Sequence, residues 1–448
     1  MQNQYEQYPY DVAIIGSGIL GASIAYFLTS CSKSKIILIE QGLMPALHTS
    51  SRNTGKVHAP FLYDPLKKKH FAKAAFLGFD MLKTYCSLKS LPFKQDGVLE
   101  VATYEKGLDR LQKYMKWGFA NGLSKDELRF LEKDEVTRME PNVNCLGAIY
   151  CARDGSVDYR LITQSLVTDF QSFGGKPLLG TQVKEIKSDD GNHRNSKLSI
   201  HTAKGDIIQA NFVINAAGGN SIDIAHALGV GNDYTDLHFR GEYWQAPKEY
   251  DSLSKISVYS VPKYPDYPFL DPHWIVRADG RREIGPNAVL VFSPYAYSWS
   301  TNLKYCVPKI LESLPTGARK IFFDKQFLSL VFREIKSSLS KTAMIERARE
   351  FLPQLKPGLF ARRGTAGIRA SLIDKNGKFV PDTLMIMNDD SQLHILNYNS
   401  PGATGALPTG AMIASQLIES GFAKSATHND HNVPWDVSKV ADEMHASQ

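Results

Sequence analysis

A glycine turn close to the start of the chain, Gly16-Ser17-Gly18-Ile19-Leu20-Gly21, constrains the fold more than any other feature. It follows a short β-branched apolar run over 12–15 and opens a stretch in which Ile19, Leu20, Ile24, Phe27 and Leu28 recur at helical spacing. A second buried-looking strand over 36–39 ends at Glu40. Strand, helix and strand in that order make a βαβ unit, whose crossover commits the chain to a parallel sheet. In such a turn the first glycine permits the bend, the second lets backbone approach a pyrophosphate, and the third lets helix and strand pack closely. The first helical N–H groups, around Ile19 and Leu20, and the helix dipole then hold the anion. Glu40, about twenty residues past the turn, suits the adenosine ribose, which favours an adenine dinucleotide without a 2′-phosphate.

The turn alone does not choose between NAD and FAD, and two later segments favour FAD. A buried strand over 212–215 runs into Ala216-Ala217-Gly218-Gly219, where Ala217 and Gly218 let backbone lie against a cofactor. Ser400-Pro401-Gly402-Ala403-Thr404-Gly405 precedes the last long helix, predicted over 408–420, whose N-terminus suits the N1–C2=O edge of an isoalloxazine ring.

The 448 residues allow two to four domains, and 43% hydrophobic with 22% charged residues is the balance of a folded, soluble chain. A net charge of +6 is too dilute over this length to argue for nucleic acid. Cys31, Cys86, Cys145, Cys151 and Cys306 are scattered without CxxC pairs or accompanying histidines, so no metal site is expected and all five are read as buried, reduced thiols in a cytoplasmic protein. Glycines interrupt the longest apolar stretch, 12–28, so neither a signal peptide nor a membrane span is expected. The basic run Lys67-Lys68-Lys69-His70 is read as a solvated helix start, with peripheral membrane contact left open.

Further helices are predicted from Phe71 to Tyr85 and over 161–173, 302–314 and 341–351. Strands are predicted over 97–102, 182–186, 198–202 and 207–208, with a polar turn over 188–196 and an antiparallel sheet over 236–300. The stretch 422–448, with His428 and His431, reads as a loosely held tail.

Several longer segments carry a family resemblance. They are Arg52-Asn53-Thr54-Gly55-Lys56-Val57-His58, Gly155 to Arg160, Phe239-Arg240-Gly241-Glu242-Tyr243, Ser260-Val261-Pro262 through Phe269-Leu270 to His273, Gly285-Pro286-Asn287-Ala288-Val289-Leu290, Arg363 to Arg369, and Leu393-His394 with Ser400-Pro401. Over about 9–420 the chain resembles the D-amino-acid-oxidase-type flavoprotein superfamily, and within it the L-2-hydroxyglutarate dehydrogenase/oxidase family. The resemblance implies an α/β plus α+β fold, a Rossmann-like FAD-binding domain with an interleaved antiparallel-sheet substrate domain. The FAD-binding parts are expected over 9–90, 156–232 and 356–421, the substrate parts over 91–155 and 233–355, and a tail over 422–448. It places Ser51, Arg52, Asn53, Gly55 and Val183 beside the cofactor with the glycine turns. Departures from the family pattern are Lys56, Ala59-Pro60, Leu396 and Asn399.

The resemblance also implies oxidation of an L-2-hydroxy acid to a 2-oxo acid, the best guess being L-2-hydroxyglutarate to 2-oxoglutarate. That chemistry needs an acceptor for the C2 hydrogen, a base for the hydroxyl proton and a cation for the carboxylate. FAD supplies the first. His58, His273 and His394 are candidates for the second. Arg369 suits the third, because a guanidinium fork matches a carboxylate bidentately. A second carboxylate calls for a second cation, with Arg277, Arg240 and Lys56 as candidates and Tyr243 as a cavity wall. An amino-acid or amine oxidase, a glycerol-3-phosphate-type dehydrogenase and a non-catalytic flavoprotein are the alternatives. The electron acceptor stays open among a quinone, an electron-transfer protein and oxygen.

Overall fold

The computed structural model describes residues 9–188, 197–264, 267, 271–425, 431 and 433–446. Phe269, Leu270, His428 and residues 189–196 of the expected turn lie outside them. The βαβ unit forms as expected. Strand Tyr10–Ile15 lies parallel to both neighbours, Ile36–Ile39 and Ile207–Asn215, at the centre of an eight-stranded sheet. Gln392–Leu396 extends the parallel set beside Asn215. Both faces of the central strands are covered, which is why their sequences are continuous apolar runs rather than alternating ones.

Helix Ile19–Cys31 is buried from Ile19 through Ser30. It shares one core with Lys69–Leu88, Tyr159–Ser172 and Ala406–Glu419, where Phe27, Leu82, Phe170 and Ile413 are completely or almost completely enclosed. Each such side chain contributes roughly 1.5–3 kcal/mol of burial free energy.

The sheet expected over 236–300 is instead divided between two. Strands Trp244–Gln245, Ser257–Ser260, His273–Val276 and Arg282–Gly285 join Val98–Ala102, Leu128–Glu132, Gly147–Cys151 and Arg362–Arg363 in a second eight-stranded sheet. One pairing in it, Ser257–Ser260 on Val98–Ala102, is parallel. Tyr234–Gly241 and Val289–Val291 leave it for a three-stranded sheet in which Tyr234–Gly241 lies between Val289–Val291 and Gly367–Asp374, antiparallel to both. The break falls at Gly285-Pro286, where proline has no N–H to continue a ladder, and at Gly241, which has room for no more than a hydrogen against Pro286.

The C-terminal stretch is not loosely held where it is described. Helix Val437–His445 packs on Ala406–Glu419 and buries Ala441 and Met444. Trp435 lies against Phe27 and Tyr85, and His431 stacks on Phe173 at 4.2 Å. The stretch is polar on average, yet Val433, Trp435, Val437, Val440, Ala441 and Met444 supply an apolar face, and that face decides docking. The thiol expectation also needs correction: all five cysteines are free, but Cys31 and Cys306 are only half-buried. Among the described residues no helix is long and apolar enough to cross a membrane.

Candidate active site

The cofactor cleft opens at the C-terminal ends of the central parallel strands. It encloses about 320 Å³ and is lined by Gly16, Gly18, Glu40, Thr49, Ser50, Val183, Ala217 and Gly218. Gly16 and Gly21 are sterically required. A Cβ on Gly21 would stand 1.9 Å from the Gly16 carbonyl oxygen, and one on Gly16, at φ +102°, 2.6 Å from that of Ala216. Glu40 lines the cleft and also pins the turn: Oε2 accepts from Ser17 N–H (2.8 Å) and Oγ (3.0 Å), and Oε1 from Gly42 N–H (2.7 Å). A carboxylate has about four acceptor sites, so a ribose hydroxyl can still be accommodated. The Ile19 N–H, expected to face the cofactor, is given to Ser50 Oγ at 2.9 Å.

The loop 49–55 reaches from this cleft toward the second sheet. Ser51 Oγ donates to the His48 carbonyl, Asn53 caps the carbonyls of Thr49 and Ser50, and Gly55, at φ +71°, packs against the Val157 carbonyl. Arg52 lies over the Tyr297 ring at 4.6 Å. Across from the loop, the 400–405 turn is compressed: a Cβ on Gly402 would meet the Asn399 oxygen at 2.5 Å, and Ala403 packs on the core of the first sheet. Thr404 Oγ1 accepts from the His58 backbone N–H at 3.0 Å. The two sequence-expected cofactor segments, far apart in the chain, therefore meet at His58.

Near His58 lie His273, another of the expected histidines, and Arg369, one of the expected cations. His58 and His273 both pack on Tyr259, with ring centroids 6.1 and 4.1 Å from it. Nδ1 of both histidines and the Tyr259 hydroxyl are buried with no hydrogen-bond partner among the described residues. Unpaired buried polar atoms are costly, and three of them on side chains in mutual ring contact through Tyr259 mark a place suited to a polar ligand. Both rings keep some exposed surface, yet desolvation governs them. Burial pushes His58 down to about 3, with Lys56 and His273 adding to the effect, and it pushes His273 down to about 4. Both are therefore neutral proton acceptors at physiological pH. Burial likewise lowers Arg369 to about 10, opposed by Tyr243 and Glu334. Arg369 also disfavours the protonated form of His273, which places the two in one electrostatic neighbourhood. Tyr243 is buried beneath the Arg277 guanidinium at 5.6 Å.

Four of the expected substrate residues do other work. Arg240 is enclosed, ion-paired to Glu242 at 2.8 Å and bonded to the Ala296 carbonyl at 2.9 Å. Arg277 is neutralised by Glu283 at 2.5 Å and donates to the Asn53 carbonyl at 2.9 Å, so it braces the loop 49–55. His394 sits within the first sheet, with Nδ1 3.1 Å from Asn215 Nδ2 and Nε2 3.2 Å from Gln392 Oε1. Lys56, expected to reach a distal carboxylate, is fully buried between Asp96 (3.2 Å) and Asp154 (3.1 Å). Each already has protein partners that satisfy its charge or its ring nitrogens.

Lys68 is the cation that the sequence reading missed. Lys67 and Lys69 are exposed, but Lys68 is turned inward, its ammonium 5.9 Å from the Tyr63 ring. Burial and then Arg369 lower its pKa. No carboxylate among the described residues lies within ion-pairing distance of it. The signal was available, because Lys68 precedes Phe71, Ala72, Ala75 and Phe79 by 3, 4, 7 and 11 positions and so shares the buried face of that helix.

Residues 11–416 match the family model described as FAD dependent oxidoreductase, DAO. The chain belongs to this family. It is an FAD-dependent oxidoreductase. The L-2-hydroxyglutarate dehydrogenase of Escherichia coli (strain K12) is 30% identical over 414 residues, covering 91% of this chain and 93% of that protein. That of Indibacter alkaliphilus is 31% identical over 413 residues, covering 92% and 99%. Among solved structures, the L-alpha-glycerophosphate oxidase of Mycoplasma pneumoniae with FAD bound superposes with a TM-score of 0.73 at 20% identity, covering 96% of this chain and 100% of that one. The glycine oxidase of Geobacillus kaustophilus gives 0.67 at 16% identity, covering 97% and 98%. These two share the fold. The glycine cradle and the cleft fit FAD: Gly16, Gly18, Gly21 and Glu40 would hold its dinucleotide end, and the 49–55 and 400–405 segments would lie by its ring.

Proposed function

We propose that the protein oxidises an L-2-hydroxy dicarboxylate, L-2-hydroxyglutarate in the first instance, to the 2-oxo acid. The observation that carries this reading is the convergence of two neutral histidines with two cations, Arg369 and Lys68, beside the 400–405 turn. The relatives named L-2-hydroxyglutarate dehydrogenase, matched over nine-tenths of the chain, support the same substrate.

Arg369 receives the C1 carboxylate through its fork, and Lys68 receives the distal carboxylate. FAD, when bound, accepts the C2 hydrogen with its electron pair. His58 takes the hydroxyl proton as the C2–O bond becomes a carbonyl, its backbone fixed by Thr404. His273, tilted against Tyr259, keeps the hydroxyl directed at His58. The enclosure that desolvates both rings also excludes water from the reacting atoms.

The test is flavin bleaching by a panel of L- and D-2-hydroxyglutarate, L-lactate, glycine, L-proline and glycerol 3-phosphate without oxygen. L-2-hydroxyglutarate should bleach fastest. Preferential bleaching by an amine or by glycerol 3-phosphate would replace this reading.

A further inference from the structure

Lys56 stands where a substrate cation was expected, yet it is buried in a network of its own. Its Nζ lies 3.1 Å from Asp154 Oδ1 and 3.2 Å from Asp96 Oδ1, and it donates to Ser156 Oγ at 3.1 Å. The Lys56 and Asp154 side chains have no exposed surface and that of Asp96 is 5% exposed. Such a cluster is expensive to bury, and apolar replacements of buried ion pairs are often neutral or stabilising, so stability alone is a weak reason for it.

Its placement offers another. Lys56 and His58 flank Val57, so in the short strand Lys56–Val57 and its continuation their side chains leave on the same face. The other oxygen of Asp154, Oδ2, accepts from the Ala59 N–H at 3.2 Å. The His58 N–H is held by Thr404, and the Tyr159 hydroxyl ties Thr404 to the Lys56 carbonyl at 3.1 and 3.0 Å. The peptide groups on both sides of His58 are thereby fixed, one of them through Lys56. Facing the ring from other elements are Tyr259 and His273, both neutral, while Asp154 and Asp96 face Lys56; Arg369 acts on His273. Lys56 is thus the nearest positive charge to His58 along its own strand.

We propose that Lys56 is a positioning residue for His58. Its ammonium fixes Asp154, Asp154 fixes the Ala59 amide, and the same buried charge opposes a second positive charge on the imidazole. This rests on the reading that His58 accepts the substrate proton, and the test separates the two.

Holoprotein is prepared as wild type, Lys56→Met, Lys56→Arg and the double variant Lys56→Met/Asp154→Asn, in which asparagine can still accept from Ala59. FAD content and Tm establish folding. Carbethoxylation of His58 by diethyl pyrocarbonate, followed by peptide mass mapping from pH 8 to pH 5, reads the neutral imidazole without any substrate. Wild type and Lys56→Arg should react evenly across the range. In Lys56→Met the midpoint should rise by about two pH units, from about 3 to about 5, a shift typical of losing one nearby buried charge, so reactivity at pH 5 falls to about half of that at pH 8. The double variant, which keeps Asp96, should shift in the same direction by less. In stopped-flow reduction by L-2-hydroxyglutarate, Lys56→Met should lose at least tenfold in rate with less than a twofold change in substrate Kd. A flat carbethoxylation profile in a folded, FAD-replete variant lacking Lys56 would overturn the proposal. If L-2-hydroxyglutarate fails to reduce wild type, the substrate reading falls, and the carbethoxylation profile still decides the role of Lys56.

Discussion

Replacing Lys68 with methionine isolates the second carboxylate of the substrate. Methionine keeps an unbranched apolar stem, so packing against Tyr63 and the start of helix Lys69–Leu88 should persist while the charge is lost. A charge-assisted hydrogen bond contributes about 1.5–3 kcal/mol. Lys68 has no ion-paired carboxylate among the described residues and is already substantially desolvated, so little of that interaction is shared with protein groups. At roughly 1.4 kcal/mol per decade, kcat/KM for L-2-hydroxyglutarate should fall about 10- to 100-fold, mainly through KM. L-lactate, which lacks the distal carboxylate, should change by less than about twofold. Wild-type preference for the dicarboxylate should also decline at alkaline pH earlier than an ordinary lysine titrates, because Lys68 loses its proton sooner. Steady-state kinetics on both substrates, with FAD content as control, provide the assay. Equal losses on both acids, or no loss on either, would refute the assignment.

Three further outcomes follow from the same geometry. Arg369→Lys keeps a charge but loses the fork, so kcat/KM should fall by about one to two decades with every 2-hydroxy acid while FAD content holds; unchanged kinetics would remove Arg369 from the site. Gly21→Ala places a carbon 1.9 Å from the Gly16 oxygen and must displace the turn, so FAD retained after gel filtration should fall at least tenfold, and full retention would contradict the cradle. His394, pushed down to about 4 by burial, takes up its proton more readily in the unfolded chain, so stability is present above about pH 6.5 and is lost as pH falls toward 4. At pH 5 this one group costs about 2 kcal/mol, so His394→Gln should shrink the drop in Tm between pH 7.5 and pH 5, and an undiminished drop would refute it.

What was legible in the sequence was local. Gly21 and Gly16 of the 16–21 turn have steric tasks set by a residue within a few positions and by the end of one neighbouring strand, and the structure shows those tasks at 1.9 and 2.6 Å. The convergence of His58, His273 and Arg369 was suggested by family motifs rather than by spacing. Charges misled where their partners were not considered. Glu242 lies two residues from Arg240 on the same side of an extended segment, and Glu283 faces Arg277 from the adjacent strand of a hairpin, so both pairings were within reach of strand periodicity. The partners of Lys56 were not, since Asp96 and Asp154 come from other elements far along the chain. Lys68 was hidden inside a basic run whose other lysines are exposed. The docked C-terminal helix was masked by average polarity, which conceals an apolar face that only a helical period reveals.

The central claim is that Arg369, Lys68 and His58 enclose a 2-hydroxy dicarboxylate against bound FAD. Its most direct test is rapid-mixing reduction of the holoprotein without oxygen, comparing L-2-hydroxyglutarate with its D-enantiomer, L-lactate and glycerol 3-phosphate. The flavin band should bleach with the L-dicarboxylate at least tenfold faster than with any other, yielding one 2-oxoglutarate per flavin. Failure of L-2-hydroxyglutarate to bleach a fully loaded, folded protein, or faster bleaching by any of the others, would contradict it.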